Sequence, residues 1–412
     1  FWTMEDPLRR HLHLSFVFSN IAVVGALLLG VRRVAVSEDS FRVKAGVYDD
    51  TRDVTVFVND VHLEKDVGER GKVSLRQEVD AVSSASIGCT VCHANGESLS
   101  RVDWQIGGSY ALDPESNTII GLSYFGGAEQ DYLASTVALS ATRDFADRNS
   151  TLSAVYSFSY DKPHPHGWDK FAEDYAFVDG AIVRRRGAAP AKQLQSDEGL
   201  KFQFDGSLIG ERVTDETKVS HRGGLSWTQA LDPKTIAQVN LDVTRVDGYQ
   251  SNPYHIVPAG GAEYIEAHPD ARTRRAVVAQ VNRALDTRTF LKGSYRYYSD
   301  TWGVDSHTGA GSLGRYFVDK SLLMDIGYRH YTQSAADFHS AAYGTSQPYM
   351  TGDYRLGAFR SGAFRAKAVY TLGSPAVSGP LHDLRVDAAY ERYVSDNDFR
   401  YNLWQLGISG SY

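Results

Sequence analysis

The chain has 412 residues, of which 42% are hydrophobic and 23% charged, so it is long enough for two soluble domains or one large all-β domain. Its 37 glycines and 24 tyrosines against 3 methionines are typical of strands and turns, and this composition excludes disorder and collagen. The formal net charge of −7 provides no basic field, so no nucleic-acid partner is expected.

The amino-terminal forty residues differ from the rest of the chain. Residues 16–31 form a long apolar run that Arg9 and Arg10 precede and that the small residues 35–37 follow. The run is shorter than the ~20 residues that a spanning helix needs. We therefore expect residues 1–40 to be an export signal or, alternatively, a retained anchor helix.

From residue 41 to the end, apolar and polar side chains alternate with a period of two. In residues 152–160, for example, Leu, Ala, Tyr and Phe alternate with Ser. Similar runs occur at 237–244, 291–297 and 384–391, and Asp, Asn, Gly and Pro separate such runs. The pattern predicts strands with one apolar and one polar face.

The apolar face of these strands contains many Ala, Gly and Tyr residues, which suits a lipid-facing surface better than the interior of a soluble sandwich. About 14 to 18 such segments can be counted, each with the ~10 residues of a tilted membrane strand. We expect an all-β fold over residues 41–412, a transmembrane antiparallel up-and-down β-barrel of about 16 strands in the bacterial outer membrane. The barrel has to close because an open edge in lipid leaves backbone groups unpaired.

The connections differ in length, which predicts the two ends of the barrel. Short polar turns, expected on the periplasmic side, lie at 112–117, 144–149, 231–234 and 286–288. Long connections, expected on the outer side, lie at 83–101, 161–198, 247–272 and 333–351. With this assignment the count of strands brings the last residue to the wrong side by one strand.

The last residues continue the alternation. Trp404, Leu406 and Ile408 share one face of a segment that runs to Tyr412. This pattern resembles the carboxy-terminal signal of outer-membrane barrels, and the final strand of a soluble β-protein is the alternative.

One chemically specific motif, Cys89-Thr90-Val91-Cys92-His93, uses both cysteines of the chain. Two thiols at this spacing can each add to a vinyl group of one haem, and the adjacent histidine can then bind the iron. We predict one covalent haem c held by Cys89, Cys92 and His93 in the loop 83–101. A Cys89–Cys92 disulfide and a metal site are the alternatives.

The spacing does not identify the second axial ligand of the haem iron. His62, His164 and His166 are candidates, whereas Met324 and Met350 lie far along the chain. An open sixth position remains a further alternative.

Two blocks of the sequence resemble a known family. They are residues 294–304, Ser-Tyr-Arg-Tyr-Tyr-Ser-Asp-Thr-Trp-Gly-Val, and residues 328–338, Tyr-Arg-His-Tyr-Thr-Gln-Ser-Ala-Ala-Asp-Phe. Both are similar to blocks of the bacterial domain-of-unknown-function family numbered 3570, and residues 80–86 and 246–254 resemble two further blocks. The resemblance implies an outer-membrane barrel of about this length. Genes of the family often lie near genes for thioredoxin-like proteins, small lipoproteins and flavin transferases, which implies extracytoplasmic redox work.

Side chains of these blocks have plausible roles in a barrel. We expect four aromatic residues to anchor the rims, namely Tyr295, Tyr297, Trp302 and Tyr331. We expect charged residues to form ion pairs in the lumen or loops, namely Arg296, Asp300, Asp305, Arg329 and Asp337.

Two classes of function are consistent with these features. In the first, the barrel carries haem and relays electrons between a periplasmic donor and a cytochrome at the surface, as a carrier or scaffold rather than a catalyst. Since one haem cannot bridge a hydrocarbon layer of ~30 Å, cytochrome or other redox partners are expected, besides outer-membrane lipid and lipopolysaccharide. In the second, the protein is a porin-like transporter or structural barrel with a Cys89–Cys92 disulfide and no haem.

Overall fold

The structure, a computed structural model, describes the barrel strands and many of their connections. The described residues are 39–52, 54–82, 99–112, 117–129, 132–163, 175–178, 181–184, 192–196, 199–204, 207–211, 216–251, 256–372 and 382–412. The predicted signal or anchor segment lies outside them, except for Asp39 and Ser40.

The described residues contain 23 strands and one short 3-10 helix, Val318–Lys320. In chain order the strands are β1 (Ser40–Asp50), β2 (Thr55–Val67), β3 (Gly71–Val82), β4 (Leu99–Ala111), β5 (Thr118–Ala128), β6 (Tyr132–Phe145), β7 (Ser150–Pro163), β8 (Tyr175–Val178), β9 (Ala181–Arg184), β10 (Lys192–Ser196), β11 (Gly199–Phe204), β12 (Ser207–Glu211), β13 (Lys218–Asp232), β14 (Thr235–Gly248), β15 (Ile256–Ala259), β16 (Ala262–Ile265), β17 (Ala271–Ala284), β18 (Thr289–Asp300), β19 (Asp305–Phe317), β20 (Leu322–Gln333), β21 (Phe359–Thr371), β22 (His382–Ser395) and β23 (Arg400–Ser411). Within this part of the chain, no helix has the length and apolar character needed to cross a membrane.

Sixteen of the described strands form one closed barrel. Its order is β1 to β7, then β13 and β14, then β17 to β23, and neighbouring strands pair antiparallel. The barrel closes where β1 pairs with β23, with Ser40 opposite Ser411 and Asp50 opposite Tyr401. The prediction of an antiparallel barrel of about 16 strands is therefore confirmed.

The outer face of the barrel is apolar. Large hydrophobic side chains on the outer faces of the strands are exposed, among them Trp104, Ile106, Leu122, Leu139, Leu225, Leu313, Ile326 and Leu406. Exposed aromatic residues lie towards one end at Tyr160, Tyr295 and Tyr297, and towards the other at Tyr110, Phe145, Phe317 and Tyr370. An apolar band between two aromatic girdles is the surface that lipid covers in a membrane barrel.

The inner face is polar and charged. Along β7 the serines that alternate with Leu152 and Tyr156 point inward, and Ser153 and Ser159 form hydrogen bonds with threonines of β6. The lumen also holds ion pairs across neighbouring strands, such as Lys367 Nζ with Asp387 Oδ2 at 3.8 Å. Alternation of this kind lets the same strands face lipid on one side and water on the other.

The two ends of the barrel differ as predicted. Connections at the end that holds Ser40 and Ser411 are 68–70, 112–117, 146–149, 233–234, 285–288, 318–321 and 372–381. Connections at the opposite end are 51–54, 83–98, 129–131, 164–217, 249–270, 301–304, 334–358 and 396–399. All four predicted short turns lie at the first end, and all four predicted long connections lie at the other. Sixteen strands also bring the last strand back to the end where the first begins, which removes the conflict in the strand count.

Several long connections differ in length from the predictions because strands extend into them or further elements lie within them. β4 begins at Leu99, which pairs with Val82, so the predicted haem-binding loop ends at 98. The connection after β7 runs to residue 217 and contains β8 to β12, and the connection after β20 runs to residue 358.

Two of the long connections pack against each other at the barrel mouth. We call residues 256–270 and 334–358 together the lid. Val257 and Ala259 of the first segment form a buried cluster with Met350 of the second, and isolated backbone bridges also join the two segments. The lid is therefore a packed structure with its own small core.

Candidate functional site

The predicted haem motif, residues 89–93, belongs to the segment 83–98, which lies outside the described residues. The residues on both sides of this segment are described, and Val82, at the end of β3, pairs with Leu99, at the start of β4. The segment that carries the motif is therefore attached at the end of the barrel with the long connections.

His62, a candidate for the second axial ligand, faces the lumen from β2. In the strand register it lies opposite Arg42 on β1 and opposite Arg76 on β3. Six positions along the strand separate His62 from Val56, which pairs with Val82, and at ~3.3 Å per residue this corresponds to ~20 Å. His62 therefore lies deep in the lumen and not at its mouth.

His164 and His166, the other two candidates, lie outside the described residues. They follow Pro163, where β7 ends at the same end of the barrel as Val82. The topology thus joins the haem motif and these two histidines to one end of the barrel. Whether any of the three binds iron stays a prediction.

The lumen wall beside β3 and β4 is strongly charged. Arg76 Nε donates a hydrogen bond of 2.5 Å to Asp60 Oδ2, and Arg101 Nε donates one of 2.8 Å to Asp103 Oδ2. Asp80 and Asp103 each have a buried carboxylate oxygen without a hydrogen-bond partner among the described residues. Such a wall lines a hydrated channel, as in other barrels of this size, and not a packed core.

A cavity of about 390 Å³ lies between the lid and the lumen wall. Strands β7, β13, β14 and β17 supply its wall, and the connections at the barrel mouth supply its roof. We call it the lid cavity, and its lining residues are Asp161, Lys218, Ser220, Thr244, Val246, Gln250, Glu266, His268, Arg272, Arg274, Trp302, Asp353, Arg355 and Leu356.

Several charged groups of the lid cavity are paired with each other. Lys218 Nζ lies 3.2 Å from Asp161 Oδ2 on the neighbouring strand. In the lid, Arg355 Nε lies 3.0 and 2.9 Å from the two oxygens of Asp353. These pairs neutralise each other and fix the orientation of their side chains.

Arg272 joins the lumen wall to the connection 301–304. Its Nε and Nη2 donate hydrogen bonds of 2.9 and 2.5 Å to Asp300 Oδ2. The side chain of Asp300 has no exposed surface, and its Oδ1 accepts from the backbone N–H groups of Trp302 and Val304 at 2.8 and 3.2 Å. Asp300 therefore holds both the arginine and the turn in place.

A second buried carboxylate, Glu266, lies in the roof of the lid cavity. Its Oε2 accepts a hydrogen bond of 2.7 Å from Thr351 Oγ1. His268 Nε2 lies 2.7 Å from Glu266 Oε1, without the angles of a hydrogen bond. His268 also packs edge-on against the Trp302 ring, with 5.1 Å between centroids.

Burial and nearby carboxylates shift the pKa values of three groups in the connections at the barrel mouth. Burial opposes the charge of Arg355, but the hydrogen bonds and the charge of Asp353 outweigh it and raise the pKa of Arg355. Burial raises the pKa of Tyr249 above its ordinary value, and the charges of Glu216 and Glu266 add to this. Burial lowers the pKa of His339, although Asp353 and Glu266 act in the opposite direction.

The structure corrects part of the expected rim anchors. Tyr295 and Tyr297 lie on the outer face as expected. Trp302 is only 5% exposed, and its Nε1 donates to the Ala271 carbonyl at 3.0 Å, because the turn folds inward over the lumen wall. Tyr331 faces the lumen, where its hydroxyl donates to Gln333 Oε1 at 2.6 Å, since it lies at odd spacing from the outward-facing Tyr328.

Two of the five charged residues expected to form ion pairs do so. Asp300 pairs with Arg272, and Arg329 Nη2 lies 3.7 Å from Glu391 Oε1 in the lumen. The other three form no ion pair within the described part of the chain, where Arg296 lies over the Tyr298 ring and Asp305 accepts a hydrogen bond from the Tyr297 hydroxyl. Sequence reasoning did not identify the lid cavity or its arginines. The only sequence feature that pointed to this cavity was that the blocks 246–254 and 294–304, which resemble the family, supply some of its lining residues.

The described part of the chain contains no group of three or more His, Cys, Asp or Glu side chains arranged to hold a metal ion. The cysteines and His93 lie outside that part, so this finding does not bear on the haem motif.

Known structures with a similar fold are membrane barrels of very different sequence. CdiB from Acinetobacter baumannii superposes with a TM-score of 0.50 at 8% identity, and the alignment covers 92% of this chain and 61% of CdiB. A bacterial polysaccharide outer membrane secretin gives 0.47 at 9% identity, covering 92% of this chain and 100% of that one. OccK1 (OpdK) of Pseudomonas aeruginosa gives 0.44 at 8% identity, covering 91% and 98%. Such identities concern the fold alone.

A search of curated proteins found no match. The fold itself assigns the location, because a closed sixteen-stranded barrel with a lipid-facing apolar band between aromatic girdles is a bacterial outer-membrane protein.

A family model described as "Protein of unknown function (DUF3570)" matches residues 98–410. The match begins after the haem motif and after the block 80–86, so neither is part of it. It includes the blocks 246–254, 294–304 and 328–338 on which the resemblance rested. Because the match covers well over half of the sequence, this chain belongs to the DUF3570 family of outer-membrane barrels.

Proposed function

We propose that this outer-membrane barrel carries one c-type haem and takes part in extracytoplasmic electron transfer. The observation that carries the proposal is the motif of Cys89, Cys92 and His93, which combines both thiols of the chain with an adjacent imidazole. This donor set fits haem c, because each thiol can add across one vinyl group and the imidazole can bind the iron. When bound, the haem supplies a centre that accepts and releases one electron.

The barrel topology is compatible with this function. The motif segment joins β3 to β4 at the end with the long connections, which in outer-membrane barrels is the extracellular end. The segment has sixteen residues between Val82 and Leu99. A segment of this length can lie over the mouth of the lumen or enter it.

Electron transfer across the membrane then requires partners. One haem cannot span a hydrocarbon layer of ~30 Å, so we propose that a periplasmic redox protein donates the electron and that a cytochrome at the cell surface accepts it. The barrel acts as carrier and scaffold and not as a catalyst. Outer-membrane lipid and lipopolysaccharide are its remaining proposed partners, through the apolar band and the outer rim.

Exact mass and absorbance of the purified protein test the proposal. We expect the polypeptide to keep a Soret band after denaturation and acid–acetone extraction, and to exceed the mass of the bare chain by one haem. A Cys89→Ser, Cys92→Ser double variant is expected to lose both signals. His307→Ala, which removes a histidine on the outer face of β19, is the matched control and is expected to keep them. A colourless wild-type protein with the mass of the bare chain would refute the proposal.

A second candidate function is a porin-like transporter or structural barrel in which Cys89 and Cys92 form a disulfide. The charged lumen wall and the lid cavity favour it, because they resemble a hydrated pathway with a partial gate. This candidate predicts a colourless protein whose mass rises by two hydrogens on reduction. The mass measurement above therefore distinguishes the two candidates.

A further inference from the structure

Arg274 is an exception among the charged residues of the lid cavity. Lys218, Arg272 and Arg355 each lie within 4 Å of a carboxylate. Arg274 has no hydrogen bond and no ion pair with the described residues, and its Nε is buried without a partner. A buried donor without a partner is costly, because burial removes its water without providing a replacement.

The neighbours of Arg274 in the sheet do not relieve this cost. Its cross-strand partners are Thr244 on β14 and Asp300 on β18. Both oxygens of Asp300 are already engaged by Arg272 and by the backbone of the turn. Arg272 takes up these contacts with Asp300, so Arg274 has no carboxylate within ion-pair distance among the described residues.

A second unsatisfied atom lines the same cavity. Gln250 Oε1 is buried without a hydrogen-bond partner among the described residues, while its Nε2 donates to the Pro269 carbonyl at 3.4 Å. The cavity therefore offers an unpaired cationic donor from the barrel wall and an unpaired neutral acceptor from the connection above it. The other buried polar pair of this cavity, Glu266 and His268, is in mutual contact. Buried polar atoms in native structures normally have partners, so the two remaining atoms, on Arg274 and Gln250, indicate a bound polar group.

We propose that the lid cavity binds a small organic anion whose carboxylate contacts Arg274 and whose hydroxyl group donates to Gln250. The planar guanidinium matches a carboxylate in two parallel hydrogen bonds. The volume of about 390 Å³ is within the range of small-ligand sites. This binding site does not depend on haem, and it is equally compatible with a barrel that transports solutes.

Calorimetry on the folded, detergent-solubilised barrel at low salt tests the site, with sodium gluconate, butyrate and phosphate as probes. Gluconate has both the carboxylate and hydroxyl groups, butyrate has only the carboxylate, and phosphate is a different oxyanion. We expect saturable binding of gluconate that is tighter than binding of butyrate or phosphate. Equal binding of all three would show non-specific attraction by the lumen and overturn the proposal, as would no binding of gluconate.

Variants then locate the site. We expect Arg274→Gln to weaken gluconate binding about tenfold or more, because a hydrogen bond to a charged group is lost. Arg365→Gln is the matched control, since it removes an arginine of the lumen wall that does not line the cavity, and it is expected to leave binding unchanged. Gln250→Leu is expected to reduce gluconate affinity to that of butyrate and to leave butyrate unaffected.

The remaining outcomes are also decisive. Equal losses in the Arg274 and Arg365 variants would mean that only the overall lumen charge matters, and would overturn the proposal. If Arg274→Gln does not fold, Arg274→Lys keeps the charge but removes the planar fork, and it is expected to show the same loss. Unchanged binding in that variant would exclude the two parallel hydrogen bonds proposed for the carboxylate.

Discussion

The guanidinium carbon of Arg272 lies 4.1 Å from the centroid of the Trp302 ring. This contact joins the lumen face of β17 to the turn between β18 and β19. Trp302 also packs with Val304 and Ala336 in a buried cluster, against which Phe338 and other lid side chains pack. The contact between Arg272 and Trp302 therefore connects the barrel wall to the lid, and Asp300 fixes the orientation of Arg272.

The first prediction concerns Asp300. We expect Asp300→Asn to lower the free energy of unfolding by about 3–5 kcal/mol, because it leaves the Arg272 charge buried without a counter-ion. The shift in denaturant midpoint of the detergent-solubilised barrel measures this effect. Asp319→Asn is the control, because the Asp319 side chain is fully exposed and lies 3.6 Å from Arg288, where an ion pair contributes little. Equal midpoints for the two variants would contradict the role assigned to Asp300.

The second prediction concerns Gly303 in the same turn. Its φ of +84° is unfavourable for other residues, and an added Cβ would overlap the Asp337 carboxylate. We expect Gly303→Ala to destabilise the turn by about 1–3 kcal/mol and to increase protease cleavage in the lid. Gly293→Ala on β18 serves as the control, because nothing lies within 4 Å of the added methyl group. A protease-resistant lid in the Gly303 variant would show that the turn does not support the lid.

The third prediction is a pH dependence of the lid. Burial lowers the pKa of His339, so the unfolded segment binds a proton below a pH of about 6.5 while the folded lid does not. The contribution of His339 to the stability of the lid is therefore constant above that pH. It falls as the pH drops below that value and levels off below the folded-state pKa.

Limited proteolysis of the lid between about pH 7.5 and 5 measures this dependence. We expect His339→Gln to flatten the slope, and His307→Gln, outside the lid, to retain it. Asp353 and Glu266 also face His339, but they are present in both variants and so cancel in the comparison. Identical slopes for wild type and the His339 variant would remove His339 as the cause.

Much of the barrel could be predicted because the alternation of apolar and polar residues along each strand is a local sequence pattern. In β7, the alternation of Leu152 and Tyr156 with serines is sufficient to predict a strand with one lipid face, and short polar turns mark one end of the barrel. Strand ends were harder to place. Leu99 belongs to β4 because it pairs with Val82, a contact across seventeen positions that no local pattern reveals.

The lid cavity could not be predicted for the same reason. Its residues come from five barrel strands or turns and from two loops far apart in the chain, and Arg274 looks like any other lumen residue in its strand. What distinguishes Arg274 is the absence of a partner in the described part of the molecule, which depends on the positions of Asp300 and Arg272. The predicted position of Trp302 at the rim was wrong for a related reason. An aromatic residue beside a strand end can turn outward to lipid or inward to a core, and the local sequence does not distinguish the two.

The fourth prediction uses the axial ligand to locate the proposed haem. His62 lies ~20 Å along the strand from the position opposite the end of β3, so it can bind iron only if the haem is held inside the lumen. His164 and His166 follow the end of β7 at the barrel mouth, so they can bind iron only if the haem is held near the mouth.

We expect one of two variants, His62→Ala or His164→Ala with His166→Ala, to convert the reduced spectrum from six-coordinate to five-coordinate, and the other to leave it unchanged. His307→Ala is the control for loss of a histidine that faces lipid. If neither variant alters the spectrum while the thioether-linked haem is retained, the sixth position is open or filled by another group, and all three histidines are excluded as ligands.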